Sequence, residues 1–170
     1  MRRFDTTNLI RGAVTAALYA ALTFVIPFSS GLMQVRLSEA LCVLPYFCPA
    51  SVWGLGIGCL LGNMLSGGIP IDVIGGSLAT LLAAFLTYLM KKRNVSMYLT
   101  PLPAVIINAF AVGAILAFGY ELAPFATCML YVAIGQVIAC YGIGIPLMLT
   151  LKRLPARIFS STGQNHVPKR

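Results

Sequence analysis

The chain has 170 residues, of which 59% are apolar and 9% charged, and its mean hydropathy is +0.89. Soluble domains contain about 45–50% apolar and about 25% charged residues, so this composition excludes an ordinary soluble fold. The formal net charge is +8, but nearly all of the 12 basic residues lie in short clusters between long uncharged runs. This distribution is typical of an integral membrane protein and not of a nucleic-acid-binding surface.

Five uncharged runs predict six membrane-spanning helices in a single all-α domain. A helical span needs about 20 apolar residues, and four of the runs supply one span each. The run 40–71, extended back to Leu37, contains Pro45 and Pro49 and predicts a hairpin of two short or tilted helices. The predicted spans lie within 12–35, 37–47, 50–65, 73–90, 94–120 and 122–151.

Basic clusters at the ends of these runs predict the orientation. With six spans all three clusters lie on one side, which the positive-inside rule makes cytoplasmic. With a single span in place of the hairpin, the basic cluster at 91–93 would lie on the outer side, against this rule. We therefore expect cytoplasmic termini, a transmembrane domain over 1–155 and a disordered cytoplasmic tail over 156–170. The clusters are Arg2, Arg3 and Arg11; Lys91, Lys92 and Arg93; and Lys152, Arg153, Arg157, Lys169 and Arg170.

The sequence contains no motif that indicates enzymatic chemistry. His166, the single histidine, lies in the tail, and there is no GxxxxGKS/T phosphate-binding loop. We therefore expect a protein that is not an enzyme by itself and that needs no cofactor or metal. The five cysteines lie in apolar segments without CxxC spacing. These cysteines, and the closely spaced glycines of 54–58 and 142–144, are interpreted as packing residues.

Polar residues within the apolar body are the candidate binding site. Ionisable groups at mid-bilayer cost about 2.5–3.5 kcal/mol each on insertion scales, which makes them functional candidates. Arg36 and Glu39 are one helical turn apart at the start of the second span, and Asp72 begins the fourth. Asn63 is expected at the same depth, so the sequence predicts one polar pocket open to the outer side. Further candidates are the amides Asn108 and Gln136 and, as a stacking wall, Trp53 and Tyr131.

A structural role remains the alternative for each of these groups. The charged residues are also suited to be interface charges and helix caps. An amide in hydrocarbon needs a hydrogen-bonding partner, which a neighbouring helix can supply without any ligand.

Span one carries small residues at helical spacing. Ala13, Ala17 and Ala21 recur every four residues, with Ala16 and Ala20 beside them. Such a stripe lets another helix approach closely. It predicts either a docking surface for a partner membrane protein or a packing face within this protein.

Three segments between residues 34 and 83 are similar to one known family. They read Gln34-Val-Arg36-Leu-Ser-Glu39-Ala-Leu, Gly54-Leu-x-x-Gly58-Cys-x-x-x-Asn63 and Asp72-x-x-x-Gly76-Ser-Leu-Ala-Thr80-Leu-Leu-Ala. With the helix-one alanines and the six predicted spans, they resemble the QueT family. Its members are substrate-binding S-components of energy-coupling factor (ECF) transporters that take up queuosine precursors. The resemblance covers residues 9–155.

The resemblance implies a division of labour between subunits. The S-component would bind a 7-deazaguanine base (preQ0, preQ1 or queuine) on the outer side of the cell membrane. A separate transmembrane T-component with two cytoplasmic ATPases would move the substrate. The ATPases would drive a toppling of the whole S-component in the membrane through its helix-one face.

The chemistry of the implied ligand fits the candidate residue types. A 7-deazaguanine presents a ring N–H beside an exocyclic amine, and one carboxylate accepts both hydrogen bonds. Glu39 is the first choice for this carboxylate and Asp72 the second, with Arg36 orienting Glu39. Asn63 or Gln136 would read the carbonyl edge, and an aminomethyl arm would add a cation for the remaining carboxylate.

Two other functions stay open from the sequence. One is an S-component for a different small vitamin, with the same fold and another pocket. The second is a structural subunit of a membrane complex, in which the polar groups only hold helices together.

Overall fold

The computed structural model describes residues 6–25 and 35–153, and all regular structure within them is helical. The predictions for the N-terminal arginines and for the tail 156–170 lie outside these residues. A short 3₁₀ turn precedes α4, and π-helical turns follow α4 and join α5 to α6. The main elements are α1 (Thr6–Val25), a 3₁₀ helix (Leu37–Tyr46), α2 (Ser51–Leu65), α3 (Pro70–Lys92), α4 (Leu102–Ala114), α5 (Phe125–Val137) and α6 (Ile145–Arg153).

These elements form six helical rods in the described part of the chain, and all except the first lie at the predicted positions. Three rods, Pro70–Lys92, Met97–Gly119 and Phe125–Arg153, are long and apolar enough to cross a membrane. Leu37–Tyr46 and Ser51–Leu65 are apolar but shorter. The all-α prediction is confirmed, whereas the number of spans and the side of the termini stay predictions.

The first helix begins earlier than the uncharged run suggests. It starts at Thr6, so Arg11 lies inside α1 and does not precede it. Within this turn Thr15 Oγ1 donates a hydrogen bond to the carbonyl of Arg11 at 2.8 Å. A long basic side chain is tolerated near a helix end because its charged group can reach the membrane interface.

The second apolar run folds as the predicted hairpin. The 3₁₀ helix and α2 run in opposite directions. A hydrogen bond shows this: Arg36 Nη1, at the start of the hairpin, donates to Asn63 Oδ1, near the end of the hairpin, at 3.0 Å. The turn around Pro49 therefore reverses the chain. The following turn has Gly67 at φ +74, a conformation that favours glycine, and Pro70 then begins α3.

The first arm of the hairpin differs from the predicted helix in its winding. It is a 3₁₀ helix of 10 residues, longer than most 3₁₀ segments, and Pro45 lies within it. With about three residues per turn, side chains three apart lie directly above one another. Arg36, Glu39 and Cys42 consequently form one buried row.

Close packing of α2 against α1 fixes the position of α1. A Cβ at Gly54 would lie 2.5 Å from the Gly12 carbonyl oxygen, and one at Gly58 would lie 2.7 Å from Tyr19 Cβ. A side chain at either position would therefore push the helices apart. Small residues at membrane helix interfaces allow this approach, as predicted for the glycines of 54–58.

The charges separate towards the two ends of α3. At its first turn Asp72 lies near Arg36, with 3.7 Å between Arg36 Nη2 and Asp72 Oδ2. At its last turn Lys91 Nζ lies 4.6 Å from the ring centre of Tyr46. The polar groups of the hairpin thus gather at the end of α3 opposite its lysines.

The outer surface of the bundle is strongly apolar. Large side chains such as Trp53, Leu78, Phe110 and Phe118 are more than half exposed. Soluble monomers rarely expose such extended apolar surface, so these helices fit a lipid environment.

Candidate functional site

Glu39 is the centre of the buried polar cluster. It lies in the first turn of the 3₁₀ helix and is 2% exposed. Tyr19 from α1 donates a hydrogen bond to Oε1. Asn108 Nδ2 from α4 and Cys42 Sγ donate to Oε2 at 3.0 and 3.1 Å. In all three bonds the carboxylate oxygens of Glu39 are the acceptors.

A second chain of polar groups links the hairpin to α3. Asn63 accepts a hydrogen bond from Arg36 and donates from Nδ2 to the Asp72 carbonyl oxygen at 3.2 Å. Tyr120, after α4, donates to Asp72 Oδ2 at 3.3 Å and accepts from the Ile69 amide at 3.1 Å. These bonds hold the start of α3 against the ends of α2 and α4.

A narrow cavity opens between these two groups of residues. The cavity is small and admits little more than one water molecule. Arg36 and Glu39 supply charge, and Val112 and Val132 supply apolar walls from α4 and α5. The complete lining is Arg36, Glu39, Gly76, Thr80, Val112, Val132 and Gln136.

Two buried acceptor atoms at the cluster have no hydrogen-bond partner among the described residues. They are Asp72 Oδ1 and Asn108 Oδ1, in side chains that are 5% and 1% exposed. An unsatisfied buried polar atom costs about 1–3 kcal/mol, so natural proteins rarely leave one without a reason. Both atoms accept and neither donates. The cluster therefore contains two acceptor positions that no described residue fills.

The structure brings together all the predicted binding residues except the two aromatic ones, Tyr131 and Trp53. Tyr131 is 36% exposed and lies outside the cavity lining, whereas its neighbour Val132 lines the cavity. Trp53 is 68% exposed. The residues that meet in the cluster are Arg36, Glu39, Asn63, Asp72, Asn108 and Gln136.

Sequence reasoning missed the tyrosines that bond the two carboxylates. Tyr19 is fully buried beside Glu39, and Tyr120 reaches Asp72. The one available signal was the position of Tyr19 three residues after Ala16, on the face of α1 that small residues mark as a packing face. Thr80 was also missed as a lining residue, although it lies two turns after Asp72 on α3.

The alanines of α1 divide between two faces. Ala16 and Ala20 are buried, and a Cβ on Gly58 of α2 would lie 2.8 Å from the Ala16 carbonyl oxygen. Ala13, Ala17 and Ala21 are exposed. The stripe is thus part packing face and part open surface.

Metal ligands and cysteines are the other groups that could give this site a chemical role. No cluster of three or more metal-ligating side chains occurs in residues 6–25 and 35–153. The five cysteines, all of which lie in this part of the chain, are buried and free. Cys42 and Cys140 contribute thiol donors around Glu39, with Cys140 Sγ 3.5 Å from the Glu39 carbonyl oxygen.

The apolar helices define a helical membrane protein, and the buried polar cluster with its narrow cavity is the candidate site within it. Comparison with known proteins narrows this class. The sequence model described as "QueT transporter" matches residues 9–153, and the chain belongs to the QueT transporter family.

One curated relative carries the name "Queuosine precursor transporter QueT", from Lactococcus lactis subsp. cremoris (strain MG1363). It is 34% identical over 96 residues, which cover 55% of this chain and 56% of the relative. The match thus spans little more than half the length of that relative. Among solved structures, none matches this chain.

Proposed function

We propose that this protein is the substrate-binding subunit of an ATP-driven ECF uptake transporter and binds a queuosine precursor in its polar cavity. Family membership and the printed name of the Lactococcus relative support transport of this substrate class. The observation that carries the proposal is Glu39, a buried carboxylate that lines the cavity and belongs to a cluster with two unsatisfied acceptors, Asp72 Oδ1 and Asn108 Oδ1. A 7-deazaguanine base has the donors that such acceptors need.

The base edge would be read by Glu39 together with Asn108. A carboxylate has about four acceptor positions, and Tyr19, Asn108 and Cys42 use three on Glu39. One acceptor position on Glu39 stays available. Asn108 Oδ1 belongs to the same side-chain amide whose Nδ2 donates to Glu39. The ring N–H and the exocyclic amine of the base can therefore bond to adjacent acceptors on these two side chains.

Gln136 and the apolar walls complete the proposed site. Gln136 lines the cavity, and its Oε1 accepts a bond from Cys140 Sγ at 3.3 Å, which leaves its amide hydrogens for the carbonyl edge of the base. Val112 and Val132 supply the apolar surfaces for a flat ring. Because the cavity is narrow in this structure, binding requires that α3, α4 and α5 separate slightly.

Energy and movement would come from partner subunits. The sequence has no ATP-hydrolysing motif, so a T-component and two cytoplasmic ATPases would supply both. We propose that the T-component docks on the exposed alanines Ala13, Ala17 and Ala21, because Ala16 already packs against α2 and Ala20 is buried. Six spans, cytoplasmic termini and a location in the bacterial cell membrane belong to the same proposal.

Binding to purified protein tests the proposed substrate. Isothermal titration with 7-deazaguanine bases and, in parallel, with unrelated vitamins should give a measurable Kd only for the former. Mass spectrometry of ligand retained through purification gives an independent answer. A vitamin of another class would indicate a different S-component. No small-molecule binding and no co-purified ATPase would indicate a structural subunit.

A further inference from the structure

Basic side chains from two helices gather at one end of the bundle. The last turns of α3 and of α6 each carry two of them. Both α3 and the rod Phe125–Arg153 begin close to Tyr120, which bonds Asp72, so the two run in the same direction. Tyr88 of α3 and Leu147 of α6 pack against the same buried cluster, which brings both helix ends to one side of the core. We call this group the basic end; its residues are Lys91, Lys92, Arg93, Lys152 and Arg153.

The acidic side chains of the described residues do not balance this charge. Asp72 is at the opposite end of α3, Glu121 follows Tyr120, and Glu39 is buried in the polar cluster. All residues of the basic end are exposed, and within 6–25 and 35–153 none of them forms a salt bridge. The basic end therefore presents uncompensated positive charge on the surface of the protein.

Two tyrosines orient the lysines of the basic end. Lys91 Nζ lies 4.6 Å from the ring centre of Tyr46, at the end of the 3₁₀ helix, and Lys92 Nζ lies 4.8 Å from the ring centre of Tyr88. A cation within about 6 Å of an aromatic ring centre is attracted to the face of the ring. The ring has no net charge, so this contact positions the ammonium group without neutralising it. Tyrosine is also enriched where membrane helices meet the lipid headgroups.

An apolar surface continues from the basic end along α3. Leu78, Leu82 and Phe85 are all about half exposed. Phe85 lies about two helical turns before Lys92 and therefore on the same face of α3. Its ring centre is 6.5 Å from that of Tyr88. Positive charge and apolar surface thus follow each other along one face of the helix, in the order of the headgroup and the acyl chain of a phospholipid.

We infer that the basic end is a binding site for an anionic phospholipid, with the phosphate at the basic residues of α3 and α6 and an acyl chain along Leu78, Leu82 and Phe85. The uncompensated charge favours an anionic headgroup over a zwitterionic one, since basic residues beside membrane helices attract anionic lipids. The apolar face distinguishes a lipid from a free phosphate. This site is separate from the polar cavity, and its occupant does not depend on what the cavity binds.

Native mass spectrometry of the full-length protein in a neutral detergent tests this inference. Phosphatidylglycerol and phosphatidylcholine with identical acyl chains are titrated, and the Kd of the first bound lipid is measured for each. We expect phosphatidylglycerol to bind at least about tenfold more tightly than phosphatidylcholine. Glycerophosphoglycerol, the same anionic headgroup without acyl chains, should bind at least about tenfold more weakly than phosphatidylglycerol.

Paired substitutions that remove charge test the position of the site. Lys91→Gln with Lys92→Gln, and separately Lys152→Gln with Arg153→Gln, should each reduce the preference for phosphatidylglycerol to less than about threefold. Lys169→Gln with Arg170→Gln is the matched control, because it removes the same net charge at the C-terminal end of the sequence. The control should retain the preference of the wild type.

Each other outcome overturns the inference in a distinct way. Equal binding of the two phospholipids refutes a lipid site and is the result expected if the basic end instead faces an acidic partner protein. Binding of glycerophosphoglycerol as tight as that of phosphatidylglycerol indicates a site for free phosphate compounds. An equal loss in all three paired variants indicates a response to net charge alone. A preference that survives in either basic-end variant refutes a site shared by α3 and α6.

Discussion

Tyr19 on α1 donates a hydrogen bond to Glu39 Oε1, and this bond ties the first helix directly to the centre of the cavity. One face of α1 carries Tyr19, Ala16 and Ala20, which are all buried, and Tyr19 and Ala16 lie against Gly58 of α2. The opposite face carries exposed alanines, among them Ala17. Any displacement of α1 against the 3₁₀ helix therefore changes the hydrogen bonding of the proposed binding carboxylate.

Glu39→Gln should abolish most ligand binding without unfolding the protein. The change replaces an acceptor with a donor that faces the donors of Tyr19, Cys42 and the base. Leaving such buried groups unpaired costs about 1–3 kcal/mol, so the Kd of a 7-deazaguanine should rise at least about tenfold. Isothermal titration measures the Kd, and thermal melting in detergent checks the fold.

Glu121→Gln is the matched control for this substitution. Glu121 is exposed in the loop after α4, with φ +51. The same chemical change there should leave the Kd unaltered. If Glu39→Gln binds the base as tightly as this control does, Glu39 is a structural charge and the proposed site is wrong.

Tyr19→Phe should destabilise the protein, because it removes the donor from Glu39 Oε1 at a fully buried position. We expect the free energy of unfolding to fall by about 1–3 kcal/mol. Tyr98→Phe provides the comparison, since Tyr98 is 58% exposed and should change stability by less than about 0.5 kcal/mol. Equal stability of the two variants in denaturant titrations would contradict a structural role for the hydrogen bond.

The positions of the helices along the chain were predictable, because the membrane imposes hydropathy on the sequence. Uncharged runs and Pro45 and Pro49 predicted the hairpin, and α2 lies at Ser51–Leu65 where 50–65 was predicted. The position of a residue along its span also gives its depth in the membrane. On this basis Asn63 and Asp72 were correctly predicted to lie at the same level, where they are hydrogen-bonded. The start of α1 was missed because Arg11 was taken as the boundary.

Rotation of each helix about its own axis was not predictable. A helix that is apolar on all sides gives no pattern that distinguishes its inward face. Tyr131 and Val132 have almost the same depth but point about 100° apart, and Val132 is the one that lines the cavity. The 3₁₀ winding of Leu37–Tyr46 was missed for a similar reason, since tertiary packing and not local sequence selects it.

Gly58→Ala should loosen the contact between α1 and α2. The added methyl would lie 2.7 Å from Tyr19 Cβ and 2.8 Å from the Ala16 carbonyl oxygen, and backbone cannot yield as a flexible side chain can. We expect a loss of about 1–3 kcal/mol in unfolding free energy. In Gly142→Ala nothing lies within 4 Å of the new methyl, so stability should be kept or slightly raised. Unchanged stability of Gly58→Ala would contradict the described packing.

Bulky substitutions on the two faces of α1 separate docking from folding. Ala17→Trp adds a large side chain on the exposed face, so ligand binding by the isolated protein should stay within about twofold of wild type. Uptake by cells and co-purification of the T-component should fail, because close helix packing is the main attraction between helices in lipid. Ala20→Trp, on the buried face, should instead reduce stability and ligand binding together. Normal uptake in Ala17→Trp, and equally in Ala13→Trp and Ala21→Trp, would exclude this face of α1 as the docking surface.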